Sequence, residues 1–194
     1  TYKGSLTKSG DGTLTLSGQN TYRGSTWVRG GQLVINGSIT STASVDNSSV
    51  GLSITNPTTR NAQTGTKGGH LIVNGSSGDV NVGYGGRATI NGDARSVQGF
   101  LNSLVDGSGR VGALAANNGA LIAPGNSIGT LTASTINGSG DVTFDKGSYY
   151  HAEISPDGKS DLIYAQNKAT LNGGKVIVTD ENDTNTLDTL RAAA

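Results

Sequence analysis

A seven-residue pattern recurs along the chain, in which two glycines enclose apolar residues at the third and fifth positions. Alternating apolar positions put every second side chain on the same face, so each copy predicts a short β-strand with one buried face. The copies, some of them loose, begin at Gly12, Gly31, Gly69, Gly86, Gly119 and Gly174.

The spacing of these glycines predicts a repeating coil. Successive copies begin 19, 38, 17, 33 and 55 residues apart, close to one, two, one, two and three units of about 18–19 residues. One strand pattern per unit is too sparse for simple hairpins, so a parallel solenoid with three short strands and three corners per coil is favoured over an antiparallel sandwich. Ten coils would form a rod of about 45–50 Å at the usual strand spacing.

The corners are predicted from nine Asn-Gly or Asp-Gly pairs, which suit tight turns but also suit the two-residue hairpins of a sandwich. Two regions break the pattern. Residues 40–68 are rich in Ser, Thr and Asn, and we interpret them as one or two degenerate coils with a loop near Asn56-Pro57 and weak strand signals at Val45 and within 50–54. Between Arg95 and Val105 the apolar residues have helical spacing, which predicts one short helix.

Composition narrows the function classes. The chain has 31 Gly, 14% charged residues and zero net charge. Because it has no Cys, disulfides, thiolate metal sites and thiol nucleophiles are excluded. A balanced charge also argues against a nucleic-acid-binding role, which needs a basic face. No apolar run approaches the roughly 20 residues of a membrane-spanning helix.

Several stretches resemble known sequences. Residues 6–22, followed by 31–37, closely resemble the passenger-associated transport repeat of Gram-negative autotransporters. Residues 121–131, with the shorter stretches 147–153, 160–163 and 169–176, resemble the C-terminal end of such passengers. The resemblance covers about two-thirds of the chain, and residues 40–68 carry little of it.

The resemblance implies a right-handed, single-stranded parallel β-helix that is secreted through an outer-membrane barrel and folds at the cell surface. It implies a stalk over 1–110 and a continuous autochaperone region over 111–194, which folds early and templates the rest. The expected partners are the protein's own translocator barrel and its upstream passenger domain. We expect a non-catalytic monomer without cofactor or metal, excised from a longer protein and without nucleic-acid contacts.

The residues support an early-folding C-terminal region. Four of the nine aromatic residues fall within 144–164, and large rings bury much apolar area. The charge also changes, from +4 over residues 1–140 to −4 over 141–194, and acidic groups near Asp180 could keep a sheet edge from pairing with another molecule. The candidate folding residues are Pro124, Gly125, Gly129, Leu131, Phe144, Tyr149, Tyr150, Leu162, Tyr164 and Leu171.

Catalytic interpretations are weaker. Ser127 lies in a G-x-S-x-G sequence, and His151 and Asp161 follow it, but a strand-like run replaces the helix that a nucleophile elbow requires. Two matches to the dinucleotide fingerprint, at 83–88 and 107–112, are expected by chance in a chain so rich in glycine. The acidic residues between Asp141 and Asp161 could serve a polysaccharide-active β-helix, although carboxylates usually face solvent.

Two other features keep an adhesin function open as the alternative. The polar region 40–68 could bind a host glycan or protein. Trp27, the single tryptophan, is either a surface contact for such a partner or a core or stacking residue of the first coil, and the second interpretation is favoured because Trp is mostly buried.

Overall fold

The computed structural model describes residues 3–46 and 68–181, and every regular element in these two ranges is a β-strand. All paired strands run parallel, and each pairs with a strand about one turn of the chain away. The strands therefore stack as the rungs of a solenoid, as the sequence pattern predicts.

Within residues 3–46 and 68–181, one sheet has eight strands and contains all six copies of the glycine-bounded pattern. In spatial order they are β2 (Thr13–Leu16), β5 (Gln32–Ile35), β8 (His70–Val73), β10 (Arg87–Ile90), β12 (Leu104–Gly107), β15 (Leu121–Pro124), β18 (Tyr149–Ile154) and β21 (Lys175–Asp180).

The other sheet has thirteen strands in the described part of the chain and forms two columns. The first column contains β3 (Gln19–Asn20), β6 (Ser38–Ile39), β9 (Ser76–Val82), β11 (Asp93–Gly99), β13 (Arg110–Val111), β16 (Thr130–Ala133) and β19 (Leu162–Ala165). The second column contains β1 (Leu6–Lys8), β4 (Thr26–Val28), β7 (Ala43–Val45), β9, β11, β14 (Ala113–Ala116), β17 (Asp141–Phe144) and β20 (Ala169–Leu171). The long strands β9 and β11 belong to both columns and join them.

The chain is thus a parallel β-helix with three faces around a narrow core. In the eight-stranded sheet, register stacks the same inward position from rung to rung, so apolar side chains form a continuous column. Its buried members are Leu33, Leu71, Ala88, Val105 and Ile122. Each fully buried Leu or Ile contributes about 1.5–3 kcal/mol. A second cluster, made by Leu104, Leu121 and Ala123 with Tyr149 against it, occupies the alternate, outward positions of the same sheet.

The rungs are less uniform in length than the predicted unit. In the middle of the eight-stranded sheet the rungs are short, as the pairing of His70 with Arg87 shows. The last two rungs are much longer, because Leu121 pairs with Tyr149 and Tyr149 pairs with Lys175. The near-constant period read from the sequence therefore holds for the earlier rungs, except between Gln32 and His70, and does not hold for the C-terminal ones.

The rung count also differs from the prediction. The described part holds eight rungs in this sheet rather than ten, which corresponds to a length of about 34 Å at the usual strand spacing. The pattern missed two of these rungs because Ser103 and Ser148 precede β12 and β18, where most rungs have glycine.

The interpretation of residues 40–68 as additional coils is wrong. Gln32 of β5 pairs directly with His70 of β8, and Ala43 of β7 pairs directly with Val80 of β9, so no rung lies between them. The strand signal at Val45 is confirmed as part of β7. The signals within 50–54 and at Asn56-Pro57 lie outside the described residues.

The short helix predicted between Arg95 and Val105 is also wrong. This segment is the end of β11, a tight turn and the start of β12. Val97 and Val105 both point into the core from two different faces, with the corner between them. A corner of this length reproduces the apolar spacing of an amphipathic helix, which is why the pattern misleads.

The predicted Asn-Gly corners are confirmed at residues 36–37, 74–75 and 91–92, where close stacking is what requires glycine. A Cβ added at Gly75 would lie 2.0 Å from the carbonyl oxygen of Gly37 in the rung below. The asparagines form a ladder of amides, since Asn74 Nδ2 donates to Asn36 Oδ1 at 2.9 Å and Asn91 Nδ2 donates to Asn74 Oδ1 at 3.0 Å.

Candidate functional site

The turn after β15 is built on glycine. Gly125 has φ 73°, in the region that favours glycine, and a Cβ there would lie 2.0 Å from the carbonyl oxygen of Ser127. Pro124 ends β15 and is buried, and the turn closes at Gly129 before the chain enters β16. This turn adds to the length of the long rung between β15 and β18, so it needs support from a neighbouring segment.

Asp161 supplies that support. Its carboxylate is 3% exposed and accepts hydrogen bonds from the backbone N–H of Gly129 at 2.8 Å and of Glu153 at 3.0 Å. The phenol of Tyr150 donates to the Asp161 carbonyl at 2.9 Å. Burial raises the pKa of Tyr150 to about 12, with a further contribution from the charge of Asp161. One aspartate thus ties the turn, β18 and the entry to β19 together.

The aromatic residues of this region differ in burial. Phe144 is 5% exposed and lies 6.1 Å from Tyr150 between ring centroids, at an interplanar angle of 45°. Tyr149 packs against the second cluster on the outer side. Tyr164 is 52% exposed, so the expectation that its ring buries much apolar area is wrong, because its position on β19 faces outward.

The aliphatic candidate residues also differ in burial. Leu131 is fully buried in the core. Leu162 points outward from β19, as Tyr164 does, and is half exposed. Leu171 occupies an inward position, paired with Phe144, yet it is 76% exposed because no further described rung lies above it.

The C-terminal end of the described solenoid is an open apolar cavity of about 540 Å³. It is lined by inward-facing residues of the last two rungs, among them Phe144, Tyr150, Ile163, Leu171 and Val176. The strands β19, β20 and β21 are each the last of their column in the described residues, so their backbone edges lie at this end as well.

The residues of the hypothetical triad are engaged elsewhere. Ser127 Oγ donates to Glu181, His151 Nε2 lies 3.0 Å from Thr179 Oγ1, and Asp161 holds the backbone amides described above. Ser127 and His151 are thus both bound to β21 and the residue that follows it, whereas Asp161 is bound to the turn at Gly129 and to β18. The G-x-S-x-G sequence here forms the corner between β15 and β16, as its glycine content indicates.

Two other acidic candidates, Asp141 and Asp145, connect neighbouring rungs. Asp141 accepts a hydrogen bond from Asn167 Nδ2 at 2.8 Å, and Asp145 accepts one from Asn172 Nδ2 at 3.0 Å, each linking a rung to the next. In the part of the chain that the structure describes, no three His, Asp or Glu side chains are placed to hold a metal ion.

Trp27 lies on the outer face of β4 between the buried residues Thr26 and Val28. The guanidinium of Arg29 stands 5.1 Å from the centre of its ring, a cation–π contact. Trp27 is therefore a partly exposed stacking residue and not a core residue.

The sequence does not identify the clamp made by Asp161. It offers this residue only as part of a resembling stretch and as a conceivable triad member. The available signal is its place in the polar segment between two strands, where a buried acceptor for backbone amides is useful, but nothing in the sequence shows which amides it meets.

The fold places the protein in the class of parallel β-helices, and comparison with known proteins identifies related sequences. Residues 6–35 match the family of the passenger-associated-transport-repeat. Two proteins of Serratia marcescens, each described as an extracellular serine protease, are 35% and 31% identical to the chain over 184 and 177 residues. These alignments cover 95% and 90% of the chain but only 12% and 11% of the relatives.

The chain is a region of an autotransporter passenger, as its sequence resemblance indicated. Passenger regions of this kind are secreted to the cell surface or the extracellular space. The chain spans about an eighth of the length of the relatives above, and the protease activity in their descriptions belongs to those proteins. Among the described residues, no helix is long and apolar enough to cross a membrane.

Proposed function

We propose that the chain is a non-catalytic stalk segment whose C-terminal part, residues 111–194, folds first and templates the preceding rungs. The observation that carries the proposal is the Asp161 clamp, which joins the turn at Gly129 to β18 and lies beside the packed rings of Phe144 and Tyr150. Apart from the rung between β5 and β8, the rungs nearer the N-terminus are shorter, and they are built mostly from aliphatic side chains.

Templating follows from the energetics of a solenoid. A single rung buries too little apolar surface to be stable alone, so folding starts where a few neighbouring rungs interact most strongly. Once those rungs exist, an incoming segment gains a strand edge to pair with and an apolar face to cover. During secretion such a template would convert each emerging segment into folded structure, and we propose that this draws the passenger outward past its own translocator.

Pulse-labelling hydrogen exchange during refolding tests this order directly. We expect amides of β15 to β21 to gain protection before those of β2 to β8. Phe144→Ala should slow refolding of the whole chain, whereas Tyr164→Ala, at an exposed ring, should leave the refolding rate unchanged. Earlier protection of the N-terminal rungs, or equal refolding rates for the two variants, would refute the proposal.

A further inference from the structure

One outward row of side chains runs along the second column of the thirteen-stranded sheet. The strand register places one residue from each strand of this column directly above the corresponding residue of the strand before it. The outer row consists of Thr7, Trp27, Ser44, Asn81, Gln98, Ala115, Thr143 and Thr170.

The outer row has uniform chemistry. All its members are uncharged, and six of the eight carry a hydroxyl or an amide. In the described ranges none of the row's hydroxyl or amide side chains forms a hydrogen bond within the protein, in contrast to the Asn74 ladder at the corner. Thr7 and Gln98 are exposed and the remaining members are partly exposed. The row therefore presents unused donors and acceptors to solvent.

The row also contains an aromatic platform. Trp27 lies in the row, and Arg29 stacks on its ring at 5.1 Å. This contact places the guanidinium of Arg29 next to the indole within the row. Beside the row at mid-height, Asp79 and Arg95 form an ion pair, with Arg95 Nε 2.8 Å from Asp79 Oδ1, so they add little net charge.

We propose that the outer row binds a neutral, extended glycan chain that lies along the solenoid axis. Sugar hydroxyls pair with amide and hydroxyl side chains, and the apolar face of a sugar ring stacks on an indole. Adjacent strands lie about 4.8 Å apart, close to the length of one hexose unit, so successive sugars meet successive rungs. Nucleic acid would need a basic stripe, and a protein or lipid surface would need an apolar patch, and the row has neither.

This binding role does not depend on the folding role, because the two use different residues. The outer row reaches Thr143 and Thr170 only at its upper end, while the Asp161 clamp lies on another face. A chain that refolds in a different order would still present the same row.

The single tryptophan provides the first readout. Folded full-length chain is titrated with two soluble probes, cellohexaose and chitohexaose, and Trp27 emission is followed. Calorimetry then measures the dissociation constants of wild type and variants. We expect binding of at least one probe with a dissociation constant below about 1 mM. Trp27→Ala should weaken binding at least about tenfold, and Gln98→Ala, at an exposed position, by about two- to tenfold.

Gln32→Ala is the matched control, since it removes the same exposed amide from a different sheet and should leave affinity unchanged. Thermal unfolding verifies that each variant is folded. If Trp27→Ala does not fold, Gln98→Ala still tests the proposal. The proposal fails if neither hexasaccharide binds at about 10 mM. It also fails if Gln98→Ala and Gln32→Ala lower affinity equally, or if only an anionic heparin hexasaccharide binds.

Discussion

Asp161 offers the sharpest test of how the C-terminal rungs are held together. Replacing it by asparagine preserves size and shape but exchanges one carboxylate oxygen for an amide donor. Gly129 N–H and Glu153 N–H bond separate oxygens of the native carboxylate at 2.8 and 3.0 Å. In Asp161→Asn one of these amides keeps an acceptor, while the other faces an NH₂ group and stays unsatisfied.

The magnitude follows from burial. Asp161 is 3% exposed, so water does not replace the missing acceptor. A buried unsatisfied donor costs about 1–3 kcal/mol, and a hydrogen bond to a charged group contributes about 1.5–3 kcal/mol. We therefore expect Asp161→Asn to lower the free energy of unfolding by about 2–3 kcal/mol, and Asp161→Ala, which leaves two donors unsatisfied, by more.

Urea unfolding measures the loss, and a second readout identifies its origin. Because the charge of Asp161 contributes to the raised pKa of Tyr150, removing it should lower that pKa from about 12 in an ultraviolet titration. Asp157→Asn is the control, since that carboxylate is exposed and pairs with Lys159. If Asp161→Asn changes neither stability nor the Tyr150 pKa, or if Asp157→Asn costs as much, the clamp does not stabilise the region.

Three further outcomes follow. Phe144→Ala should lower the free energy of unfolding in urea by about 3–5 kcal/mol, because the ring is buried. Leu171→Ala should lower it by less than about 0.5 kcal/mol, because that side chain is exposed. Similar losses for the two variants would contradict the assignment of the core. Gly75→Ala should lower the free energy of unfolding by more than about 1 kcal/mol, since its Cβ would collide with a backbone oxygen. Gly18→Ala is the control, because a Cβ there has open space. Equal thermal unfolding midpoints for the two variants would be inconsistent with tight corners. Burial, aided by the nearby charge of Arg87, lowers the pKa of His70 from 6.5 to about 4. The contribution of His70 to stability is therefore present above pH 6.5 and lost as the pH falls towards 4. His70→Gln should flatten this part of the plot of unfolding free energy against pH, and an unchanged plot would exclude the effect.

The repeating pattern predicted the eight-stranded sheet because strand alternation and stacking are local consequences of sequence. A residue pair such as Leu71 and Val73 must face one side, and the same pattern one turn later must stack upon it. The pattern failed where a rung starts with Ser103 or Ser148, because serine in a buried corner has the same backbone role but a different letter.

The candidate folding residues show a similar division. Phe144 and Leu131 could be recognised as core residues because they lie at inward positions between neighbouring strands. Tyr164 and Leu171 could not be judged from the sequence, since their exposure depends on which face of β19 points outward and on whether another rung covers β20.

The sequence by itself determined that this chain is a parallel β-helix with glycine-rich corners, because short-range alternation and a near-constant period leave few other ways to bury its sparse apolar residues. Only the tertiary structure decided how long each rung is and that β5 pairs directly with β8 and β7 with β9. It also decided that Asp161 clamps a turn that is distant in sequence. These features depend on register between segments far apart along the chain, and register is set by the packing of the whole stack.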